Sequence, residues 1–329
     1  MLRYLARRIL RMVPSLLGIT FVTFLLGDLA PSDRAAIELA RMEAQGELAP
    51  DADRAQALRA LRTRYGTHDP GSGEELGILN RYGNWLGSVL SGDAGARSPG
   101  QPAVGERIRE ALPATLVLGC CSTLLALVVG IQIGVASGMR AGSRADRLAA
   151  TGSMLVVSVP EFLLATLLLL AFGGAGLQWF PSTGWAPGRG GSLLGLVLPV
   201  ATMAVPLTVV VARFVGESVR RARTAPFAQA LEGFGVEQPE VRTRLLRHAA
   251  APLATLAGGL VPVLVGGSIV VESVFAMDGL GHLAFRAAVD QDMAMVMALT
   301  LLVALATLLG MTASDLAQRA LDPRVGSAS

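Results

Sequence analysis

The chain has 329 residues, 52% of them hydrophobic, and its 28 basic and 25 acidic side chains leave a formal net charge of +3. Its apolar residues gather in runs far longer than a globular core needs, which points to a polytopic membrane protein and excludes a single soluble domain. Apart from three histidines every basic side chain is an arginine, and the arginines sit beside the apolar runs, so membrane topology accounts for them better than nucleic-acid binding does.

A bilayer core about 30 Å thick takes roughly 20 apolar residues in a helix, whose backbone satisfies its own hydrogen bonds in lipid. Six runs meet that requirement: Ile9 to Leu26, Leu112 to Ser137, Leu148 to Phe172, Leu193 to Ala212, Leu253 to Phe275 and Met293 to Leu316. The first follows Arg3, Arg7, Arg8 and Arg11, as in a signal peptide. No small-x-small cleavage site follows cleanly, Gly27-Asp-Leu-Ala30 being a weak candidate, and the run is expected to stay as a span.

Between the first two runs lies the one region able to hold a small soluble piece. Asp51 to Tyr65 has acids leading and arginines trailing after Pro50, which suits a helix and its dipole. Gly66 to Gly73 breaks it, Ile78 to Leu90 is a further amphipathic helix, and Ser91-Gly92-Asp93 ends that. In the second run Cys120 and Cys121 are adjacent, which suits apolar packing rather than a disulfide or a metal. No Gly-x-Ser-x-Gly elbow appears; Gly134-Val-Ala-Ser137-Gly138 is the nearest thing to a membrane serine protease motif, and no histidine stands at membrane depth to activate it.

Arginines cluster before the first run, at Arg140, Arg144 and Arg147, from Arg213 to Arg247, and at Arg319 and Arg324, so these segments are expected to be cytoplasmic. Asp28 to Glu110, Gly173 to Ser192 and Ala276 to Asp292 then face outward, and they carry all three tryptophans, Trp85, Trp179 and Trp185. Both chain ends fall on the cytoplasmic side.

Within the spans ionisable groups are few. Glu161, after Pro160, is either a carboxylate satisfied by backbone or water at a proline kink, or a group lining a pathway, and the two readings stay open. Gln132 is a weaker candidate of the same kind. Glu272, near the outer end of the fifth run, either meets interfacial water or hydrogen-bonds the loop that follows.

The segment from Arg220 to Pro252 is too long for a helix-to-helix turn, which usually takes about 2 to 8 residues, so it is expected to make a contact of its own. A helix over Thr224 to Phe234, a hinge at Gly235 and a second helix from near Pro239 are read there. Phe227, Ala230 and Leu231 share one face at helical spacing.

These residues carry a resemblance over nearly the whole chain. Arg3-Tyr4-Leu5-Ala6-Arg7-Arg8 to Pro14, Tyr82-Gly-Asn-Trp85, Ser91-Gly-Asp93, Leu112-Pro-Ala-Thr115-Leu, Trp179-Phe-Pro181-Ser-Thr-Gly184, Leu198-Pro199, Pro206, Val271-Glu272-Ser-Val-Phe275 with Gly279-Leu-Gly281, and Leu321-Asp-Pro-Arg324 recur in order. The chain resembles permease subunits of ABC importers for dipeptides, oligopeptides or nickel. The resemblance implies an all-α membrane protein of the type I importer permease fold, non-catalytic, in a bacterial inner membrane. It implies six transmembrane helices with a helical extracytoplasmic segment between the first two. Residues 1–27 would be the N-terminus and first span, 28–111 the extracytoplasmic segment, 112–318 the permease core and 319–329 a cytoplasmic tail.

The Arg220 to Pro252 segment would be that family's EAA coupling loop, residues 220–252, docking on an ATPase through Phe227, Ala230, Leu231, Glu232, Gly233, Gly235, Arg244, Arg247 and His248. The departures are Leu231-Glu-Gly-Phe-Gly235 in place of Ala-x-Ala-Lys-Gly, and a histidine thirteen residues past Gly235, farther than in similar permeases. His248 reads as a helix hydrogen-bonding residue. An arginine-rich surface lying on anionic lipid is the alternative for this loop.

Implied partners are a second homologous permease, two cytoplasmic ATPases, an extracytoplasmic substrate-binding protein and the lipid bilayer. No cofactor belongs to this chain, ATP and Mg residing in the ATPases. Pro160, Glu161, Gln132, Glu272, Gly279 and Gly281 are the pathway or gate candidates. A single-chain, ion-coupled secondary transporter is the rival class, disfavoured because the halves show no convincing repeat.

Overall fold

The computed structural model describes residues 2–28, 34–46, 48, 53–65, 67–90, 103–174, 176–185, 192–237, 240–241, 243–245, 253, 256 and 268–321. It divides into two compact units, residues 1–111 with 283–305 and residues 112–282 with 306–329. Among the described residues four helical stretches are each long and apolar enough to cross a membrane: Leu10–Asp28, Val104–Met139, Leu193–Thr224 and Met293–Ala320.

In the first unit, α1 (Leu2–Asp28) is followed by α2 (Arg34–Gln45), α3 (Arg54–Arg64) and α4 (Ile78–Leu90). The carboxylate of Asp53 caps α3 by accepting from the N–H groups of Ala55 and Gln56. Ala35, Leu39 and Leu61 form a small buried cluster between α2 and α3, with Met42, Leu58 and Tyr65 packed on it. Helix α4 lies along α1. Arg81 forks onto Asp28, with Nη1–Oδ1 and Nη2–Oδ2 both at 2.8 Å, and Tyr82 Oη is 2.9 Å from Thr20 Oγ1. Phe21, Phe24 and Trp85 surround the Tyr82 ring at centroid distances of 5.2, 5.6 and 5.9 Å. A bidentate ion pair and a neighbouring aromatic cluster fix the register of the two helices.

The second unit takes most of α5 (Val104–Met139), then α6 (Arg144–Ser158), α7 (Glu161–Phe172), a 3-10 turn (Leu193–Leu196), α8 (Val197–Thr224), α9 (Pro226–Gly233), the start of α10 (Leu280–Val289) and the end of α11 (Met293–Leu321). The third apolar run, expected as one span, is two short helices, α6 and α7, that are together apolar enough to cross a membrane and are bent by 95°, as in a broken span or a re-entrant loop. Pro160 is the cause: it forces Val159 into extended backbone (φ −86°, ψ 119°) and itself stands as the first residue outside α7. The fifth run, Leu253 to Phe275, lies largely outside the described residues, and 268–274 is helical where it is described.

Helices α5 and α8 meet along glycines. A Cβ at Gly130 would stand 2.8 Å from Val211 Cβ, one at Gly134 2.5 Å from the Ala212 carbonyl oxygen, and one at Gly138 2.7 Å from that of Gly216. Small residues four apart let the two backbones touch, and this packing explains the Gly134/Ser137/Gly138 spacing. Cys121, nine residues from Gly130, falls on the opposite side of α5, and both thiols are free and exposed instead of packed.

Candidate functional site

Two constructions in the second unit gather the residues singled out above. The first is the segment that follows α8. The side chains of Val211, Val215, Val219 and Ala222, one stripe of α8, form a buried cluster with Val135 of α5 and with Ala228, Val241 and Leu245 of the segment. Leu231 and Val236 pack on the same cluster.

Helix α9 begins at Pro226, two residues later than expected, because α8 runs on to Thr224 and Ala225 is extended (φ −72°, ψ 148°). Two residues past its end stands Gly235, whose φ of +70° is the left-handed conformation glycine adopts without steric cost. The Val236 N–H then donates to the Leu231 carbonyl at 3.1 Å. That is the long bond of a Schellman cap, and Leu231 and Val236 supply the hydrophobic contact that goes with one.

This cap sorts the expected face. Leu231 turns inward onto the core, whereas Phe227 and Ala230 are exposed and Phe234 is 86% exposed. Phe234 follows Phe227 by seven residues and Ala230 by four, a helical spacing that is the sequence signal for its place on this face. Gly233 is exposed and lies in α9, Arg244 pairs with Glu240 at 2.6 Å one helical turn away, and Arg247 and His248 lie outside the described residues. Glu232 belongs to α9.

Polar contacts tie the base of α8 to the α5–α6 turn. Asp146 accepts from the Ser137 hydroxyl and, at 2.9 Å, from the Gly142 N–H, and it faces Arg220 at 3.5 Å. Arg223 donates to the Met139 carbonyl, satisfying one of the orphan acceptors at the end of α5.

The second construction surrounds Glu272, which is fully buried. Its Oε1 accepts from Thr115 Oγ1 at 2.7 Å and its Oε2 from the His282 N–H at 2.9 Å. The Thr115 oxygen in turn accepts from the Leu280 N–H at 2.7 Å. The carboxylate therefore sits at the start of α10, among N–H groups that favour an anion. Gly279 and Gly281 permit the approach: a Cβ would come 2.3 Å from Glu272 Oε2 at the first and 2.6 Å from the Ile269 nitrogen at the second. Leu118, Val271, Phe275 and Met277 form an apolar cluster of the same segments, and the Gly184 N–H donates to the Phe275 carbonyl at 2.6 Å. Of the two readings of Glu272, the hydrogen-bonded loop is the one found.

Residues 101–327 match the family described as binding-protein-dependent transport system inner membrane component. The chain belongs to this family. It is 29% identical to the oligopeptide transport system permease protein AppB of Bacillus subtilis over 99% of both chains. It is 27% identical to the oligopeptide permease protein OppB of Haemophilus influenzae over 99% of both, and 27% identical to the dipeptide permease protein DppB of Bacillus subtilis over 99% of this chain and 98% of that one.

For this inner membrane component the remaining pathway candidates are dispersed. Gln132 is exposed on α5, and Glu161 is half-buried at the first turn of α7, just past the bend at Pro160. Thr115 was part of a recognised motif without a role, and no local pattern could have paired it with Glu272, 157 residues away.

Proposed function

We propose that this chain is the transmembrane permease subunit of an ATP-driven importer of peptides, forming half of the translocation pathway. Its likeness over full length to oligopeptide and dipeptide permeases carries the reading. In it, the chain crosses the membrane six times in the type I arrangement with both ends cytoplasmic. A second, related permease completes the pathway, an extracytoplasmic binding protein delivers substrate, and two cytoplasmic ATPases supply the work, with ATP and Mg bound there.

Residues 220–252 would be the coupling loop. Helix α9 supports this: it offers Phe227, Ala230 and Phe234 outward while Ala228, Leu231 and Val236 root it in the α5–α8 pair. A push on the exposed face would then reach the α8 helix through packed side chains instead of being absorbed by a loose loop. Glu161 would line the pathway.

The test is uptake by vesicles holding the chain with its second permease and ATPases. Peptide accumulation that needs ATP and binding protein is expected, and Phe234→Asp or Phe227→Asp should abolish it with the complex still inserted. Transport by the purified chain alone under an ion gradient would overturn the reading, and accumulation of nickel instead of peptide would overturn the substrate.

A further inference from the structure

We infer that Glu272 and Thr115 form a permanent clamp that makes residues 268–282 and the adjoining part of α5 one moving body, with Thr115 a positioning residue for transport. Glu272 and the glycines of its turn are then no gate. The hydrogen bonding is closed: the Thr115 hydroxyl donates to Glu272 and accepts from Leu280, and the other carboxylate oxygen is taken by His282. Gly279 leaves no room for a side chain against the Glu272 carboxylate and Gly281 none against the backbone of Ser268 and Ile269, and the loop bearing Gly184 is bonded to the same turn.

Opening this arrangement would strand a carboxylate and two backbone N–H groups beside an apolar cluster. Each stranded group lowers the open population by roughly five- to a hundredfold. The penalties combine, so a transport cycle that opened the clamp at every turn would pass through a very rare state. Motion is cheaper where packing is thinner, and the turn travels with α5.

The experiment uses the full chain, expressed with its permease and ATPase partners, and four variants: Thr115→Ser, Thr115→Val, Glu272→Gln and the Val/Gln double. Thr115→Ser keeps the hydroxyl and should match the wild type. Thr115→Val and Glu272→Gln should each lower maximal uptake about tenfold at unchanged KM and lower the thermal midpoint of the purified chain, and the double should be no worse than the worse single.

Losses that add would overturn the clamp. So would a changed KM in Glu272→Gln with Thr115→Val silent, the result expected of a path-lining carboxylate. The thermal comparison needs no transport, so it stands even if the wild type moves no peptide, an outcome that would fault the functional reading alone. The Gly184 loop has its own check that spares both residues. A disulfide between Gly184→Cys and Met277→Cys, in a chain with Cys120→Ser and Cys121→Ser, should leave uptake intact, and a block relieved by reductant would refute the loop's moving with the turn.

Discussion

Gly134→Ala tests the seating of α5 on α8. The added methyl would stand 2.5 Å from the Ala212 carbonyl oxygen and 2.7 Å from Val215 Cβ, where ordinary contact begins at 3.4 Å. Neither neighbour is the free end of a flexible chain, so the helices must part locally by about 0.9 Å, and the contacts at Gly130 and Gly138 on the same stripe loosen with them. Overpacking of this kind costs about 1 to 3 kcal/mol.

Alanine also favours a helix over glycine by up to about 1 kcal/mol, which would mask part of the loss. Gly119→Ala, in the same helix with no atom within 4 Å of its added carbon, carries that gain without the clash. The difference between the two variants therefore isolates the packing cost. In detergent, Gly134→Ala should unfold several degrees below Gly119→Ala, and uptake should fall because α8 carries the proposed coupling segment. Equal midpoints would refute the close seating of the two backbones.

Leu231→Asp should behave unlike Phe234→Asp: facing the core, it should destabilise by about 2 to 4 kcal/mol in thermal unfolding, whereas Phe234→Asp should leave the midpoint unchanged. Breaking the Arg81–Asp28 pair with Arg81→Met should cost about 2 to 3 kcal/mol, with the Arg81→Met/Asp28→Leu double recovering much of it; a double as unstable as the single would contradict the pairing. At Asp69 the Ser72 N–H, and then the Ser72 hydroxyl, hold the carboxyl below its usual 3.8. Because the folded value is the lower one, its support for the 67–76 turn is full above the usual carboxylate range and is lost as pH falls through the depressed value. Amide exchange at Ser72 should rise below pH 3.8 in the wild type and show no such step in Asp69→Asn. Glu161→Gln should lower uptake more than assembly, and wild-type kinetics would leave that carboxylate a packing role only.

Much of the architecture is local and therefore readable in one dimension. Apolar run length reveals the four described helices able to cross a membrane, because lipid demands about 20 such residues whatever the partner. Asp53 ahead of Arg54 caps α3, and Gly235 ends α9, because caps depend on residues within one turn. The break at Pro160 was legible as a kink but not as a 95° bend, since the angle depends on what the two short helices pack against. At the candidate coupling segment, periodicity located the face but not its orientation, because Leu231 and Phe227 are equally apolar and only the α8 core selects Leu231.

The sequence by itself determined an all-helical membrane component, the family it belongs to, and the segment between Arg220 and Pro252 as one too long for a simple turn. The tertiary structure decided what long-range contact alone can: that Glu272 is buried and hydrogen-bonded to Thr115, that Gly130, Gly134 and Gly138 are a helix seam, and that Phe234 faces out. The physical reason is reach. Hydrophobic period, caps and charge bias act within a few residues, whereas a carboxylate's partner is whatever donor the fold brings within 3 Å, here 157 residues back along the chain.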